Sequence, residues 1–267
     1  MIRVPIDLRE MVIALASHAG QAVMQVYGRS YEVMHKADDS PVTEADLEAN
    51  RIIVEGLGRL TPHLPVLSEE SAHTPWEERQ HWPSYWLVDP IDGTREFISR
   101  TGQFSVNIAL IHQGAPYFAV VQEPVTGTLW HAARGELAYR RERLHDTPLH
   151  TRVPATAPLR VVTSRSLRNE RGEQLLARMG EIQTSRLGSS LKLCKLAEGE
   201  LDVYPRLGQT SEWDTAAGQC ILQAAGGNVL SVRTGKPFRY NRRPSLLNGE
   251  FIALGDLSLP WQQWLDD

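Results

Sequence analysis

The stretch YWLVDPIDGTREF, Tyr85 to Phe97, sets an apolar run directly against three acidic side chains, Asp89, Asp92 and Glu96. Two carboxylates about 4 Å apart repel by roughly 4 kcal/mol at an effective dielectric near 20, so packing them together requires full solvation or a positive charge. Asp89 ends a strand, Pro90 turns the chain, and Gly93 allows a tight backbone approach before a short helix that starts at Thr94. In that geometry Asp89 and Asp92 converge on one point, with the Ile91 carbonyl between them and the amides of Gly93 and Thr94 free to face an anion. A cation and a phosphate can share the turn. The competing reading is a solvated Asp-Gly turn in which Asp92 caps the helix. An EF-hand is less apt, because its loop register and terminal glutamate are absent.

Upstream, apolar residues from Leu8 to Val26 recur on one helical face that stops at Gly28, predicting a helix over Asp7 to Tyr27. Thr43-Glu44-Ala45-Asp46 reads as a capping box that opens a second helix reaching Leu60. Downstream, strands are expected at FSVNIALI from Phe104, APYFAVVQ from Ala115, TLWHAA from Thr128 and GELAYR from Gly135, joined by short Gly or Pro turns that favour antiparallel neighbours. The Pro-punctuated link TPLHTRVPATAP, Thr147 to Pro158, then separates an N-terminal α+β subdomain, residues 1–150, from a C-terminal α/β subdomain, residues 151–267. In the second part LRVVTS, Asp202 to Tyr204, Asn228 to Val232 and Phe251 to Leu254 read as strands. Glu170 to Met179, Ser189 to Ala197 and Asp214 to Ala225 read as helices.

Further carboxylates lie far from the central stretch. Glu69-Glu70 follows the apolar LPVLS, where an acidic pair also serves simple solvation, and Asp46 is accounted for by its capping box. Asp214 follows Trp213 at the start of a small-residue helix, as an N-cap facing outward where it could ligate a metal. Gly188-Ser189-Ser190-Leu191-Lys192 opens the preceding helix and can present amides, hydroxyls and an ammonium to phosphate. Its S-x-x-K spacing lacks the partner motifs of acylases, and Walker A, H-E-x-x-H and G-x-S-x-G sequences are all missing. Nine scattered histidines favour a hard oxygen site over zinc.

A net charge of −4 with interspersed signs excludes a polybasic nucleic-acid footprint. Two isolated cysteines, Cys194 and Cys220, fit a reducing compartment. The N-terminus shows no cleavable apolar segment, and no apolar run reaches about 18 residues, so a soluble cytoplasmic protein is expected.

The ordered set Asp46, Glu69-Glu70, Asp89 to Thr94 and W-D-T-A-A-G at Trp213 to Gly218 resembles the signature of the lithium-sensitive, magnesium-dependent phosphatases of the inositol monophosphatase superfamily. Within it, TREF at Thr94 to Phe97, GSSLK, YPRLGQTSEWDTAAGQ and KPFRYNRRPSLLNGEF are similar to the bacterial CysQ branch of 3'(2'),5'-bisphosphate nucleotidases. Inositol monophosphatases usually carry TTNF where this chain has TREF. The resemblance implies a five-layered αβαβα sandwich, an antiparallel-sheet half joined to a mixed α/β half. It implies hydrolysis of the 3'-phosphate of adenosine 3',5'-bisphosphate to AMP and phosphate with two or three Mg²⁺. Glu69, Asp89 and the Ile91 carbonyl would hold one ion, and Asp89, Asp92 and Asp214 a second.

By the same resemblance Glu69, Thr94 and Asp46 would serve the attacking water. Substrate contacts would come from Glu69, Ile91, Asp92, Gly93, Thr94 and Asp214, with Gly188, Ser189 and Lys192 beside them. Lys192, Tyr204 and Arg206 are the expected nucleotide contacts, and Glu70 is assigned an outer role. Lithium inhibition and peripheral association with the inner membrane come from the family resemblance alone. A sugar or inositol phosphatase with the same metals, and a non-catalytic metal- or nucleotide-binding regulator, are the alternatives.

Overall fold

The computed structural model describes residues 4–35, 41–163 and 170–265. Two helices come first, α1 (Ile6–Tyr27) and α2 (Glu44–Leu60), separated by a small hairpin of β1 (Val33–His35) and β2 (Pro41–Thr43). Thr43 caps α2 and Asp46 returns the bond, completing the expected box. A seven-stranded sheet follows in chain order: β3 (Val66–Ser68), β4 (Ser84–Asp92), β5 (Ser105–His112), β6 (Ala115–Glu123), β7 (Thr128–Ala133), β8 (Ala138–Glu142) and β9 (His145–Leu149). Only the β3–β4 pair is parallel. Two one-turn helices, α3 (Trp76–Arg79) and α4 (Thr94–Ile98), flank β4.

The C-terminal part builds a five-stranded sheet in the order β11-β10-β12-β16-β14 from β10 (Leu159–Thr163), β11 (Ile182–Arg186), β12 (Val203–Arg206), β14 (Asn228–Ser231) and β16 (Phe251–Leu254). The short pair β13 (Thr210–Ser211) and β15 (Leu247–Asn248) stands apart from it. Its helices are α5 (Glu170–Arg178), α6 (Leu191–Ala197) and α7 (Glu212–Ala224). Ser164, the last residue of the expected LRVVTS strand, lies outside the described residues.

Side-chain alternation fixes five layers. Trp86, Val88, Ile108, Phe118 and Val120 face α1 and α2, whereas Leu87, Ala109, Ile111, Ala119 and Val121 face α6 and α7. The five-stranded sheet meets α6 and α7 through Val162, Tyr204 and Ala253, and packs its other face, with Val161, Val203 and Ile252, on α5 and the C-terminal turn Trp261–Trp264. The result is the expected αβαβα sandwich. Because β4 to β7 of the larger sheet are covered on both faces, those strands are near-continuous apolar runs. The middle core draws on both parts of the chain, so we propose residues 1–150 and 151–267 as subdomains sharing one core.

Two strands run through segments read otherwise. β9 occupies part of the presumed link, and its residues His145–Leu149 are mostly exposed, with Pro148 tolerated at the sheet edge. β11 is the exposed edge of the second sheet, with no apolar alternation to signal it. Two helix starts also move. Ser189 has φ of 48°, so α6 begins only at Leu191 and not at Ser189. α7 begins at Glu212, making Asp214 the third helical residue of a capping box whose N-cap is Ser211.

Candidate metal centre

A strand period of two would send residues 89 and 92 to opposite faces of the sheet. β4 breaks register between Asp89 and Asp92, which pair with Asn107 and Ser105 of β5, and this irregularity re-aims Asp92. Gly93 then takes φ of 96°, a conformation open to glycine at little cost, and α4 starts at Thr94. The turn delivers both aspartates to the side that carries α7. There Asp214 joins them, and one carboxylate oxygen from each of the three lies within 4.8 Å of the others.

Asp89 is 1% exposed, and its Oδ1 has no hydrogen-bond partner among the described residues. Burial drives its pKa well above the usual carboxylate range, and the charges of Glu69, Asp92, Asp214 and Asp46 drive it further. Asp214 is raised in the same way, by desolvation first and then by Asp92, with Glu69 adding to it. Asp92 is raised by desolvation, against the pull of the Lys192 ammonium and hydrogen bonds from Ser190 and Asn107. The repulsion read from the sequence is therefore present, with too little protein cation to offset it.

Asp46 and Thr94 adjoin the turn. Asp46 Oδ2 accepts from the Thr43 amide at 2.8 Å and the Thr43 hydroxyl at 2.6 Å. The Thr94 hydroxyl sits 3.2 Å from Asp46 Oδ1 and 3.3 Å from the Ile91 carbonyl. Burial raises the Asp46 pKa, the Thr43 and Thr94 bonds counter it, and the Glu69 charge adds to the rise. Glu69 sits in a short 3-10 turn, Glu69–Ser71, at the end of β3, the parallel neighbour of β4. Its charge acts on Asp46, Asp89 and Asp214 together, whereas Glu70 is not among the leading charges on any of them.

An all-oxygen set with excess negative charge and an orphaned buried carboxylate oxygen fits a hard dication such as Mg²⁺. Asp89, Asp92 and Asp214 are the groups brought together to hold it; Glu69 is not in that trio but bears on it by charge, and the Ile91 carbonyl lies beside it against the Thr94 hydroxyl. A cleft of about 1110 Å³ opens from Asp92, Gly93 and Asp214, past Gly188 to Lys192, toward Arg206. Lys192 is buried, donates to the Leu187 carbonyl at 3.1 Å and lies 5.2 Å from the centre of the Tyr204 ring. Burial pushes its pKa down to about 8 against the pull of Asp92. Arg206 spends two donors on its own loop, at the Gly208 and Gln209 carbonyls. Gly188 is pressed against the Gln103 carbonyl, where an added Cβ would come within 2.4 Å.

Sequence reasoning missed Asn107 and read the Ser190 hydroxyl as facing phosphate, whereas it is turned to Asp92. The Ser190 hydroxyl lies 2.6 Å from Asp92 Oδ2 and 2.8 Å from the Asp214 carbonyl, and accepts from Asn107 Nδ2 at 2.8 Å. The available signal was a lone amide in the apolar run FSVNIALI, at the position that pairs with Asp89. Arg95 and Arg186, also unforeseen, stand in the cleft wall.

Comparisons with known proteins agree with this architecture. The model of the Inositol monophosphatase family matches residues 7–255. The 3'(2'),5'-bisphosphate nucleotidase CysQ of Salmonella typhimurium is 50% identical over 244 residues, covering 91% of this chain and 97% of its own. The enzyme of the same name from Haemophilus influenzae is 36% identical over 258 residues, with 96% and 95% covered. Among solved structures, CysQ from Bacteroides thetaiotaomicron superposes with a TM-score of 0.80 at 36% identity, covering 92% of this chain and 96% of that one. An inositol monophosphatase from Zymomonas mobilis gives 0.78 at 25% identity, with 97% of each chain covered. No helix among the described residues is long and apolar enough to cross a membrane.

Proposed function

The chain belongs to the inositol monophosphatase family, and from that premise we propose that it is a Mg²⁺-dependent 3'(2'),5'-bisphosphate nucleotidase. It hydrolyses the 3'-phosphate of adenosine 3',5'-bisphosphate to AMP and phosphate. The observation that carries the chemistry is the orphaned Oδ1 of Asp89 inside a ring of like charges, a deficit that a bound dication removes. The CysQ relatives, similar over more than nine-tenths of the chain, carry the substrate.

Glu69, Asp89 and the Ile91 carbonyl would hold one Mg²⁺, and Asp89, Asp92 and Asp214 a second. Bound there, Mg²⁺ would supply Lewis-acid charge to the phosphoryl oxygens and lower the pKa of a water. The chain's own part is positional. Thr94 has one hydroxyl hydrogen and two acceptors, Asp46 Oδ1 and the Ile91 carbonyl, so its oxygen is left to accept from the attacking water. Thr43 pins Asp46 in turn, and Glu69 would be the second acceptor for the water. The amides of Gly93 and Thr94 face the scissile phosphate. Attack in line with the leaving 3' oxygen breaks the P–O3' bond with no covalent phosphoenzyme.

The second phosphate needs cations away from the carboxylates. Lys192 and Arg206 stand along the cleft, with Arg95 and Arg186 in its wall and Gly188 and Ser189 beside them. Tyr204 is 4% exposed, so it serves as the platform under Lys192 rather than as a stacking face for adenine. Cys194 and Cys220 are buried and unpaired, which supports a reducing, cytoplasmic setting. Phosphate release from adenosine 3',5'-bisphosphate and from myo-inositol 1-phosphate, measured side by side with Mg²⁺, tests the reading. The bisphosphate should be strongly preferred. Equal or faster release from the inositol ester overturns it.

A further inference from the structure

The contacts of Ser190 and Asn107 have a chemical logic that a core role does not explain. Ser190 is 3% exposed and Asn107 is 1% exposed, and the two meet across 83 residues of chain. Ser190 has a single hydroxyl hydrogen, and two acceptors compete for it, Asp92 Oδ2 at 2.6 Å and the Asp214 carbonyl at 2.8 Å. With that hydrogen committed, the serine oxygen can only accept from Asn107, so the amide must present Nδ2. Nδ2 also approaches Asp92 Oδ2 to 3.5 Å. The orientation leaves Asn107 Oδ1 buried with no partner among the described residues. Leaving a buried acceptor unsatisfied costs roughly 1–3 kcal/mol, which an apolar residue in β5 would avoid. Asn107 therefore opposes folding at one end while serving Asp92 at the other.

The pair also spans the two parts of the molecule. Asn107 and Asp92 come from the seven-stranded sheet, Ser190 from the approach to α6, and the Asp214 carbonyl from the first turn of α7. By taking Asp92 Oδ2, Ser190 leaves Oδ1 of that carboxylate for a cation. The competing Asp214 carbonyl, 2.8 Å from the same hydroxyl, sets the backbone of the third carboxylate beside the second. Asp89 receives no such bond on Oδ1.

We infer that Asn107 and Ser190 are a positioning pair that sets Asp92 against Asp214 and so governs the Mg²⁺ shared by those two residues, sparing the ion on Glu69, Asp89 and the Ile91 carbonyl. The inference rests on the function proposed above. It makes the two ions separable by substitutions that remove no ligand.

Calorimetric titration of metal-stripped full-length protein with Mg²⁺ tests it, using the parent chain, Ser190→Ala, Asn107→Ala and the double variant. Ser190→Ala should weaken one class of Mg²⁺ by about 10–100-fold, the usual effect of removing an outer partner of a metal ligand, and leave the other class unchanged. Asn107→Ala should act in the same direction and more weakly. The double variant should be no worse than Ser190→Ala, because the amide works through the hydroxyl. The Mg²⁺ concentration for half-maximal bisphosphate hydrolysis should rise by the same factor as the weakened class, with KM for the bisphosphate constant. Unchanged binding of both ions in Ser190→Ala, additive effects in the double variant, or equal weakening of both ions with a lower melting temperature of the ion-free protein would each overturn the pair. A parent chain that binds no Mg²⁺ and releases no phosphate would overturn the proposed function itself, and this inference with it.

Discussion

Asp202 and Asp89 are each 1% exposed, yet their surroundings differ in kind. Asp202, just ahead of β12, accepts from Arg152 Nε at 2.8 Å, Arg160 Nη2 at 3.0 Å and the Arg160 amide at 2.7 Å. Burial alone would raise its pKa, but the two guanidinium groups outweigh it and hold the carboxyl below its ordinary range. Asp89 meets other carboxylates in place of arginines and is raised. The difference teaches that burial does not set a carboxylate's role. Asp202 is neutralised by the chain itself and staples the start of the second sheet, whereas Asp89 is left short of positive charge that must come from outside.

Exchanging each aspartate for asparagine should break the comparison most visibly. Asp89→Asn removes the proposed bridging carboxylate and should lower Mg²⁺-dependent phosphate release by at least about 10³-fold, roughly 4 kcal/mol of barrier. In the same variant the ion-free protein should melt above the parent, because a buried charge without a counterion is gone. Asp202→Asn should do the reverse. It strands two arginines and should cost roughly 2–3 kcal/mol, the low side for a broken buried pair because the arginines are about 30% exposed. Turnover per folded molecule should survive. A calorimetric melt and a phosphate-release assay on both variants suffice, and matching losses of activity would erase the distinction.

Protons and Mg²⁺ sharpen the same contrast more gently. The pKa values of Asp46, Asp89, Asp92 and Asp214 are raised on folding, so the ion-free native chain binds more protons than the unfolded chain at mildly acidic pH. Stability of ion-free protein should therefore fall as pH rises from about 4 through the raised values. The paired acids act with the opposite sign. Asp202 is lowered, and Asp146, bonded to Arg141, is lowered to about 2, so their contribution is lost as pH falls from about 4 toward 2. Mg²⁺ at ten times its dissociation constant should restore about 1.4 kcal/mol for each ion bound, with most of the recovery above neutral pH. Melting curves across pH with Mg²⁺ or with chelator check this. A chelated protein that grows more stable from pH 5 to 8 would contradict it.

What the sequence revealed follows from where burial is uniform. Strands β4 to β7 are covered on both faces, so YWLVD, FSVNIALI, APYFAVVQ and TLWHAA stand out as apolar runs. β9 and β11 are exposed edges, with HDTPL and IQTSR carrying no periodic apolar face. The clustering of Asp89, Asp92 and Asp214 was legible as an ordered set of acidic motifs, because the turn at Pro90 to Gly93 forces two of them together locally. The pairing of Ser190 with Asn107 was not, since it is a bond between distant segments that periodicity cannot register. Asp214 was seen as a ligand but misplaced as the cap, because the true cap, Ser211, also lies in a short polar run.

A third environment yields the smallest effect. Glu48 on α2 faces Arg51 at 2.7 Å, as close as Asp202 is to its own arginines, but the two side chains are 42% and 54% exposed. The Arg51 hydrogen bond lowers the Glu48 pKa, with the Arg51 charge adding to it. Water already solvates both ions at this surface, and holding two long side chains in one geometry spends the entropy that the contact recovers. Salt at about 0.15 M screens exposed charges beyond about 8 Å, removing any longer reach. Glu48→Gln should therefore leave both the melting temperature and bisphosphate turnover indistinguishable from the parent in paired measurements. A destabilisation rivalling that of Asp202→Asn would show that proximity to arginine, and not removal from water, is what separates the buried carboxylates from the rest.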